Sequence, residues 1–387
     1  MISLKKIILI TVSILGVAGL LLLLFNANFA GSQNEETSVA TMIHEYTKNK
    51  SDVKLTIGVL KEGKTYFKVF GADSKELEPV EYEYEIGSIS KTFTTSMLCK
   101  AIDDGLVNLN DPISKYLPLD SDTFYPTVLS LATHTSGYGE YPFSSSELSQ
   151  EELKKTDYDF YENKINIYQG INRTDMLDMI KTHVLKDEAY DWEYSNFGIA
   201  LLGTTLGEVY NTSYKILAED FIKNDLRLTQ TRLGNGTGNL TNYWVWNDDD
   251  TYFAAGGYVS TVTDLLKYGQ MHVNDFPAYL AFSHKTYQTF EKDGFSMGLG
   301  WIINPETNYL WHNGGTSSYQ SFLGFDKEHK TVVVVLSNYS AKDGTEDEDA
   351  LDNIGFSLLD SLSKNDSNEI NVLERVANLM PFSLYVD

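Results

Sequence analysis

The chain of 387 residues has one cysteine, Cys99. A lone thiol forms no intramolecular disulfide, which excludes the small domains stapled by such bridges. Cys99 also sits too far along the chain to be a lipidated N-terminal cysteine, and its apolar helical surroundings predict a buried structural thiol. Basic residues are few as well: 30 Lys plus Arg face 54 Asp plus Glu, for a net charge of −24. Binding to a nucleic-acid backbone needs basic patches that displace counterions, so this balance argues against that partner. It argues equally against adsorption to anionic lipid, and the surplus acid reads as solubility. No internal repeat of fixed period is visible. His44, His183, His272, His284 and His329 fall in no metal-ligand spacing, so neither a metal nor a cofactor is expected.

The N-terminus carries a long apolar run. Lys5 and Lys6 precede "IILITVSILGVAGLLLLLF", 19 uncharged residues from Ile7 to Phe25. A basic start before an apolar run is an export signal. At ~1.5 Å per residue the run spans roughly 28 Å, close to a bilayer's hydrocarbon core. Two fates stay open: cleavage near Ala27 or Ala30, or retention as an anchor. Lysines before the run and none just after it place the bulk of the chain outside the membrane.

Residues 1–37 therefore read as export signal or anchor plus a polar linker, "GSQNEET". Residues 38–363 read as one folded domain, and 364–387 as a tail with little pattern. "SVATMIHEYTKN" has helical spacing in Val39, Met42, Ile43 and Tyr46. "KLTIGVL" and "TYFKVFG" are strand-like runs joined by "KEGK", a hairpin signal. From about 95 to 250 the chain reads as helices and loops, with a Ser/Glu-rich stretch from Phe143 to Thr156. Strand patterns return in "LGWII", "YLWH", "SFLGF" and "TVVVVLSN", an antiparallel meander whose last, near-continuous apolar run is expected at the sheet centre. The acidic segment "GTEDEDALDNIGFSLLDSL" then opens a helix with negative charge at its N-terminus. The expected fold class is α/β: an antiparallel sheet built from both chain ends, flanked by helices, with a helical subdomain inserted.

Four Ser-x-x-Lys pairs occur: Ser3/Lys6, Ser51/Lys54, Ser88/Lys91 and Ser361/Lys364. The first lies in the export segment, the second before a strand, the fourth at a fraying helix end. Ser88 differs, because it follows a strand-like "EYEYEI" and Gly87 and precedes the helical pattern Phe93, Met97, Ala101. Unpaired N–H groups there favour developing negative charge. Lys91, at i+3, lies on the same helix face, where its amine can activate a hydroxyl that is a weak nucleophile on its own. Gly87 permits close approach of another backbone. A second element is "WEYSNFGIALLG", with Tyr194 and Asn196 entering an apolar helix; Tyr161/Asn163 shares the spacing in a charged, loop-like stretch. A third is "WHNGGTSSYQSFLGF", where His312 ends an apolar strand ahead of Asn313, Gly314 and Gly315.

Together, and in this order, these segments resemble the serine penicillin-recognising hydrolases, which include class C β-lactamases and DD-peptidases. "LATHTSGY", "AAGGYVSTVTDLLKYG" and "MGLGW" extend the resemblance to about Glu85–Asn338. It implies a β-lactamase/transpeptidase-like fold, with Ser88 as acyl-accepting nucleophile and Lys91 as its partner. Tyr194 falls at the position of the general base, and since a free phenol titrates near ~10, Lys91 must help hold the phenolate. Asn196 is implied to hold the substrate amide or the lysine, with His312, Asn313, Gly314 and Gly315 along the substrate. The backbone N–H groups of Ser88 and Gly315 are the implied oxyanion donors. His134, in "LATHTSGY", has an implied structural role.

One departure bears on substrate. His312-Asn313-Gly314 stands where β-lactamases of this class carry Lys-Thr-Gly, so a fixed charge and a hydroxyl for a substrate carboxylate are missing. The pattern resembles secreted DD-carboxypeptidases and esterase-like members instead. The expected function is an extracytoplasmic serine hydrolase acting on D-alanyl peptides or esters of the cell envelope, secreted or anchored through residues 7–25. Its partners are that peptide or ester substrate and, if residues 7–25 are uncleaved, the membrane; no nucleic acid is expected. A class C-like β-lactamase and a non-catalytic wall-binding or regulatory member are the alternatives.

Overall fold

The computed structural model of the chain describes residues 38–139, 155, 158–341 and 347–363. The run Ile7–Phe25, the linker, most of the Phe143–Thr156 stretch and the tail from Lys364 lie outside these residues.

Helix α1 (Val39–Thr47) starts where Ser38 Oγ accepts from the Thr41 N–H, and it buries Val39, Ile43 and Tyr46 as their spacing predicts. Strands β1 (Leu55–Lys61) and β2 (Lys64–Phe70) form the expected hairpin, Leu55 opposite Phe70 and Lys61 opposite Lys64. Both turn residues, Glu62 and Gly63, have positive φ, 52° and 79°. That is the two-residue turn whose twist matches the strands it joins. After β3 (Glu76–Leu77) the run "EYEYEI" yields only a short strand, β4 (Tyr84–Glu85). It pairs with β6 (Tyr258–Ser260), which also pairs with β5 (Arg232–Leu233), making a small second sheet.

Between β4 and β6 the described residues are almost wholly helix and loop. They include α2 (Ser90–Asp103) and α3 (Asn196–Val209). Helix α4 (Val262–Val273) then returns the chain to the main sheet through β7 (Gln288–Phe290), β8 (Phe295–Met297), β9 (Ile302–Ile303), β10 (Leu310–Gly315), β11 (Gln320–Asp326) and β12 (Thr331–Ser337). Helix α5 (Ala350–Ser363) follows, with Asp347 and Asp349 before its first turn.

The nine-stranded sheet runs β3-β2-β1-β12-β11-β10-β9-β8-β7, antiparallel throughout. β12 sits between β1 and β11, so the sheet joins early and late segments as expected. Successive side chains on a strand face opposite ways. Val333 and Val335 accordingly enter one core with α1 and α5, while Val332, Val334 and Leu336 enter the other with α2 and α4. Both faces are dry, which is why this strand reads as an unbroken apolar run; each buried valine contributes about 1.5–3 kcal/mol. Gly58 on β1 lets α4 lie flat on the sheet, since a Cβ there would come 2.3 Å from Val262 Cγ2. Helix α2 is enclosed on nearly every side, with Phe93, Met97, Cys99 and Ala101 at most 1% exposed. Burial pushes the Cys99 thiol pKa up, in line with a structural thiol.

Candidate active site

Gly87–Ile89 form a 3₁₀ turn that runs directly into α2. Ser88 thus sits in the turn ahead of the helix rather than at its cap. Three residues on, Lys91 brings its Nζ to 2.9 Å from Ser88 Oγ. The lysine is fully buried and donates a second hydrogen bond to Ala255 O, at 2.7 Å. Ser88 keeps 9% exposure. Among the described residues no other Ser-x-x-Lys pair shows such a contact. Ser51 Oγ turns to Asp52 and Lys54 Nζ to backbone carbonyls, Ser361 Oγ bonds Ser357 O, and Ser3, Lys6 and Lys364 lie outside the described residues.

Tyr194 arrives from the loop before α3, its ring centroid 4.8 Å from Lys91 Nζ. Ser195 caps α3 by accepting from the Gly198 N–H at 2.8 Å. The Ser195 N–H itself donates to His134 Nδ1, 3.1 Å away. A neutral imidazole that accepts at Nδ1 carries its proton on Nε2, and here Nε2 is buried without a hydrogen-bond partner. The His134 ring lies 4.7 Å from that of Tyr194, and the His312 ring 6.4 Å from it. Asn196 donates to Tyr168 OH at 3.1 Å, and Tyr168 stacks on Tyr252. By contrast, Asn163 is exposed and bonds Asp159, so the Tyr161/Asn163 spacing builds nothing comparable.

The third wall is β10. Strand β9 covers only Leu310 and Trp311, so His312–Gly315 has no strand partner on that side among the described residues. Gly87 holds φ +46°, and a Cβ there would fall 2.6 Å from Gly315 N. A Cβ on Gly314 would fall 2.1 Å from Ile86 O. Glycine at both positions is what lets the Ser88 turn and the end of β10 touch. Alternation along β10 separates the two residues of the His-Asn pair. His312 faces Tyr194, whereas Asn313 turns its carboxamide to Asp352 on α5, with Nδ2 to Oδ2 at 2.7 Å. Asn313 thus bonds α5 while still lining, with Gly314 and Gly315, the cavity at the end of β10.

The electrostatics are lopsided. Burial, and then the nearby Lys91, push the His312 pKa down to about 3. The same two causes hold His134 well below the usual imidazole range, with His312 adding to them. Both rings are neutral at physiological pH, and Lys91 is the cation they share. Among the described residues no group of three or more His, Cys, Asp or Glu side chains is placed to hold a metal.

The Beta-lactamase family matches residues 39–355 of this sequence. The chain belongs to that family. Protein flp of Staphylococcus aureus (strain MW2) is 25% identical over 319 residues, covering 74% of this chain and 60% of the relative. This Beta-lactamase family member thus spans about three fifths of the length of the Staphylococcus relatives. A Beta-lactamase of Pseudomonas fluorescens is 28% identical over 279 residues, 65% of this chain and 69% of that one. Among solved structures, the octameric penicillin-binding protein homologue of Pyrococcus abyssi superposes with a TM-score of 0.64 at 22% identity, over 88% of this chain and 80% of the other. The class C β-lactamase of Rhodobacter sphaeroides gives 0.62 at 18% identity, over 84% and 100%. The β-lactamase/transpeptidase-like fold is thereby established.

Within this family member, sequence spacing pointed to Ser88, Lys91, Tyr194 and His312, which the fold brings together, and to Asn196, which bonds Tyr168. It missed Ala255, whose contribution is a backbone carbonyl with no side-chain signature. It also missed Tyr168 and Glu85, of which Glu85 lay hidden in an alternating "EYEYEI".

Proposed function

We propose that this protein is an extracytoplasmic serine hydrolase that works through a Ser88 acyl-enzyme on D-alanyl peptides or esters of the cell envelope. The observation that carries the proposal is the buried Lys91 ammonium 2.9 Å from Ser88 Oγ, with the Gly315 backbone packed against Gly87. In this reading Ser88 Oγ attacks the substrate carbonyl, and Tyr194, beside Lys91, takes the hydroxyl proton and passes it to the leaving group. The oxygen that gains charge is met by the N–H groups of Ser88 and Gly315, donors of a kind worth about 2.7–4 kcal/mol each. Water then enters by the same route and releases the acyl group. Asn196 and His312 border the substrate, while Asn313 tethers β10 to α5.

A neutral His312 offers no fixed charge to a substrate carboxylate, which supports an ester without one over a β-lactam. The second reading, a class C-like β-lactamase, draws on the printed name of the Pseudomonas fluorescens relative. The extracytoplasmic placement rests on Lys5, Lys6 and the run Ile7–Phe25. No helix among the described residues is long and apolar enough to cross a membrane. The test is intact-protein mass spectrometry of the purified full-length protein with a penicillin. A lasting adduct on Ser88, absent from Ser88→Ala, supports a slowly deacylating hydrolase. Penicillin consumed without an adduct favours the β-lactamase, and full hydrolysis of an active ester by Ser88→Ala overturns both.

A further inference from the structure

Glu85 ends β4 three residues before Ser88 and is 3% exposed. Its two carboxylate oxygens grip two segments far apart in sequence. Oε2 accepts from Thr316 Oγ1 at 2.7 Å, and Oε1 accepts from the backbone N–H of Trp244. The Trp244 indole N–H in turn donates to Ser317 Oγ at 2.6 Å. Thr316 directly follows Gly315, so the two residues after the Gly315 N–H are fastened to the strand that delivers Ser88. Ser321 Oγ adds a third tie by donating to Ile86 O at 2.8 Å.

The chemistry of the group is specific. A carboxylate only accepts, so it takes both donors at once; a glutamine that keeps its oxygen on the Trp244 N–H must turn its NH2 on Thr316 Oγ1, whose hydroxyl proton then loses its acceptor. Nor is Glu85 held there by an ion pair. Arg232 on β5 is the basic side chain that acts on it, and Arg232 is itself paired to Glu83 at 3.0 Å. The other titratable group acting on it is the phenol of Tyr319, pushed up by burial. A buried carboxylate without a cation is costly to keep, and this one ties the residue after Gly315 to the strand that leads into Ser88.

We infer that Glu85 is a positioning residue that fixes the spacing of the Ser88 and Gly315 backbone donors by clamping Thr316 to the nucleophile turn. The inference rests on the acyl-enzyme reading above. Burial lifts the Glu85 pKa to about 7, so the accepting carboxylate is lost as pH falls through neutrality, and activity falls with it.

The test compares Ser88→Ala, Glu85→Gln, Thr316→Val and Thr316→Ser in the full-length protein, using one ester substrate. Glu85→Gln and Thr316→Val are each expected to lower kcat about tenfold with KM within about twofold. Thr316→Ser, which keeps the hydroxyl, is expected to retain wild-type kcat. The fall in kcat toward lower pH near neutrality is expected to vanish in Glu85→Gln. Wild-type kcat and an unaltered pH profile in Glu85→Gln overturn the inference while leaving an inactive Ser88→Ala intact. Should Glu85→Gln fail to fold, Thr316→Val decides alone: wild-type kcat there overturns the clamp. Full activity in Ser88→Ala removes the acyl-enzyme reading first, and the clamp with it.

Discussion

Two regions of this molecule bury a pair of histidines within reach of a lysine. In one, His272 Nδ1 and His284 Nε2 meet at 2.8 Å, His284 Nδ1 bonds Asp275 at 2.9 Å, and Lys327 closes on the same carboxylate at 2.6 Å. Ser96 meets the far side of His272. In the other, Lys91 bonds a hydroxyl and a carbonyl, His312 donates to the carbonyl of its own neighbour, and His134 Nε2 has no hydrogen-bond partner. The first cluster answers its polar groups internally and balances a cation with a carboxylate. In the second, one imidazole nitrogen is left unanswered. Similar residues therefore serve different ends, and what separates them is whether the network is closed.

Breaking the open cluster should cost activity. Lys91→Met is expected to lower kcat on the order of a thousandfold, measured on any ester that wild type turns over, with the fold retained by circular dichroism. The same substitution removes the charge that helps depress His312, so the His312 pKa should rise in an NMR titration. Breaking the closed cluster should cost stability instead. His284→Ala leaves Asp275 and His272 each short of a partner and is expected to destabilise by about 2 kcal/mol in urea, with kcat unchanged.

A pH experiment sharpens the contrast. The folded-state pKa of His312 is depressed to about 3, so as pH falls below the free imidazole value the unfolded chain takes up a proton that the folded chain refuses. Stability should drain away between about pH 6.5 and pH 3. His312→Gln should flatten that slope, as measured by denaturation at stepped pH. Asn313→Ala, which leaves Asp352 without its donor, is expected to lower stability by about 1 kcal/mol. The smallest effect belongs to Ser51→Ala, which carries the same Ser-x-x-Lys spacing without the geometry. It should shift stability by no more than about 0.5 kcal/mol and leave turnover alone.

Legibility in the sequence followed the range of the interaction. The Ser88–Lys91 contact spans one helical turn, the β1–β2 hairpin announces itself through Gly63, and the dry position of β12 shows in its valines. Each is a local pattern with a local cause. The orientation of Asn313 depends on which face of β10 turns toward Tyr194, a residue more than a hundred positions earlier in the chain. Glu85 looked like one more acid in an alternating run, since its partners Thr316 and Trp244 lie more than a hundred residues on. Ala255 acts through a carbonyl that every residue possesses.

The place of β12 has a consequence for how the chain is made. Its neighbours are β1, close to the start of the domain, and β11, close to its end, with Leu55 opposite Ser337. Closing such a pairing carries the entropy of nearly the whole intervening loop, and topologies of this kind fold slowly. Until Thr331–Ser337 has left the ribosome, β1 has only β2 beside it, and one apolar face of that hairpin lacks α5. The main sheet therefore cannot be completed until late in synthesis, when its last strand pairs with its first.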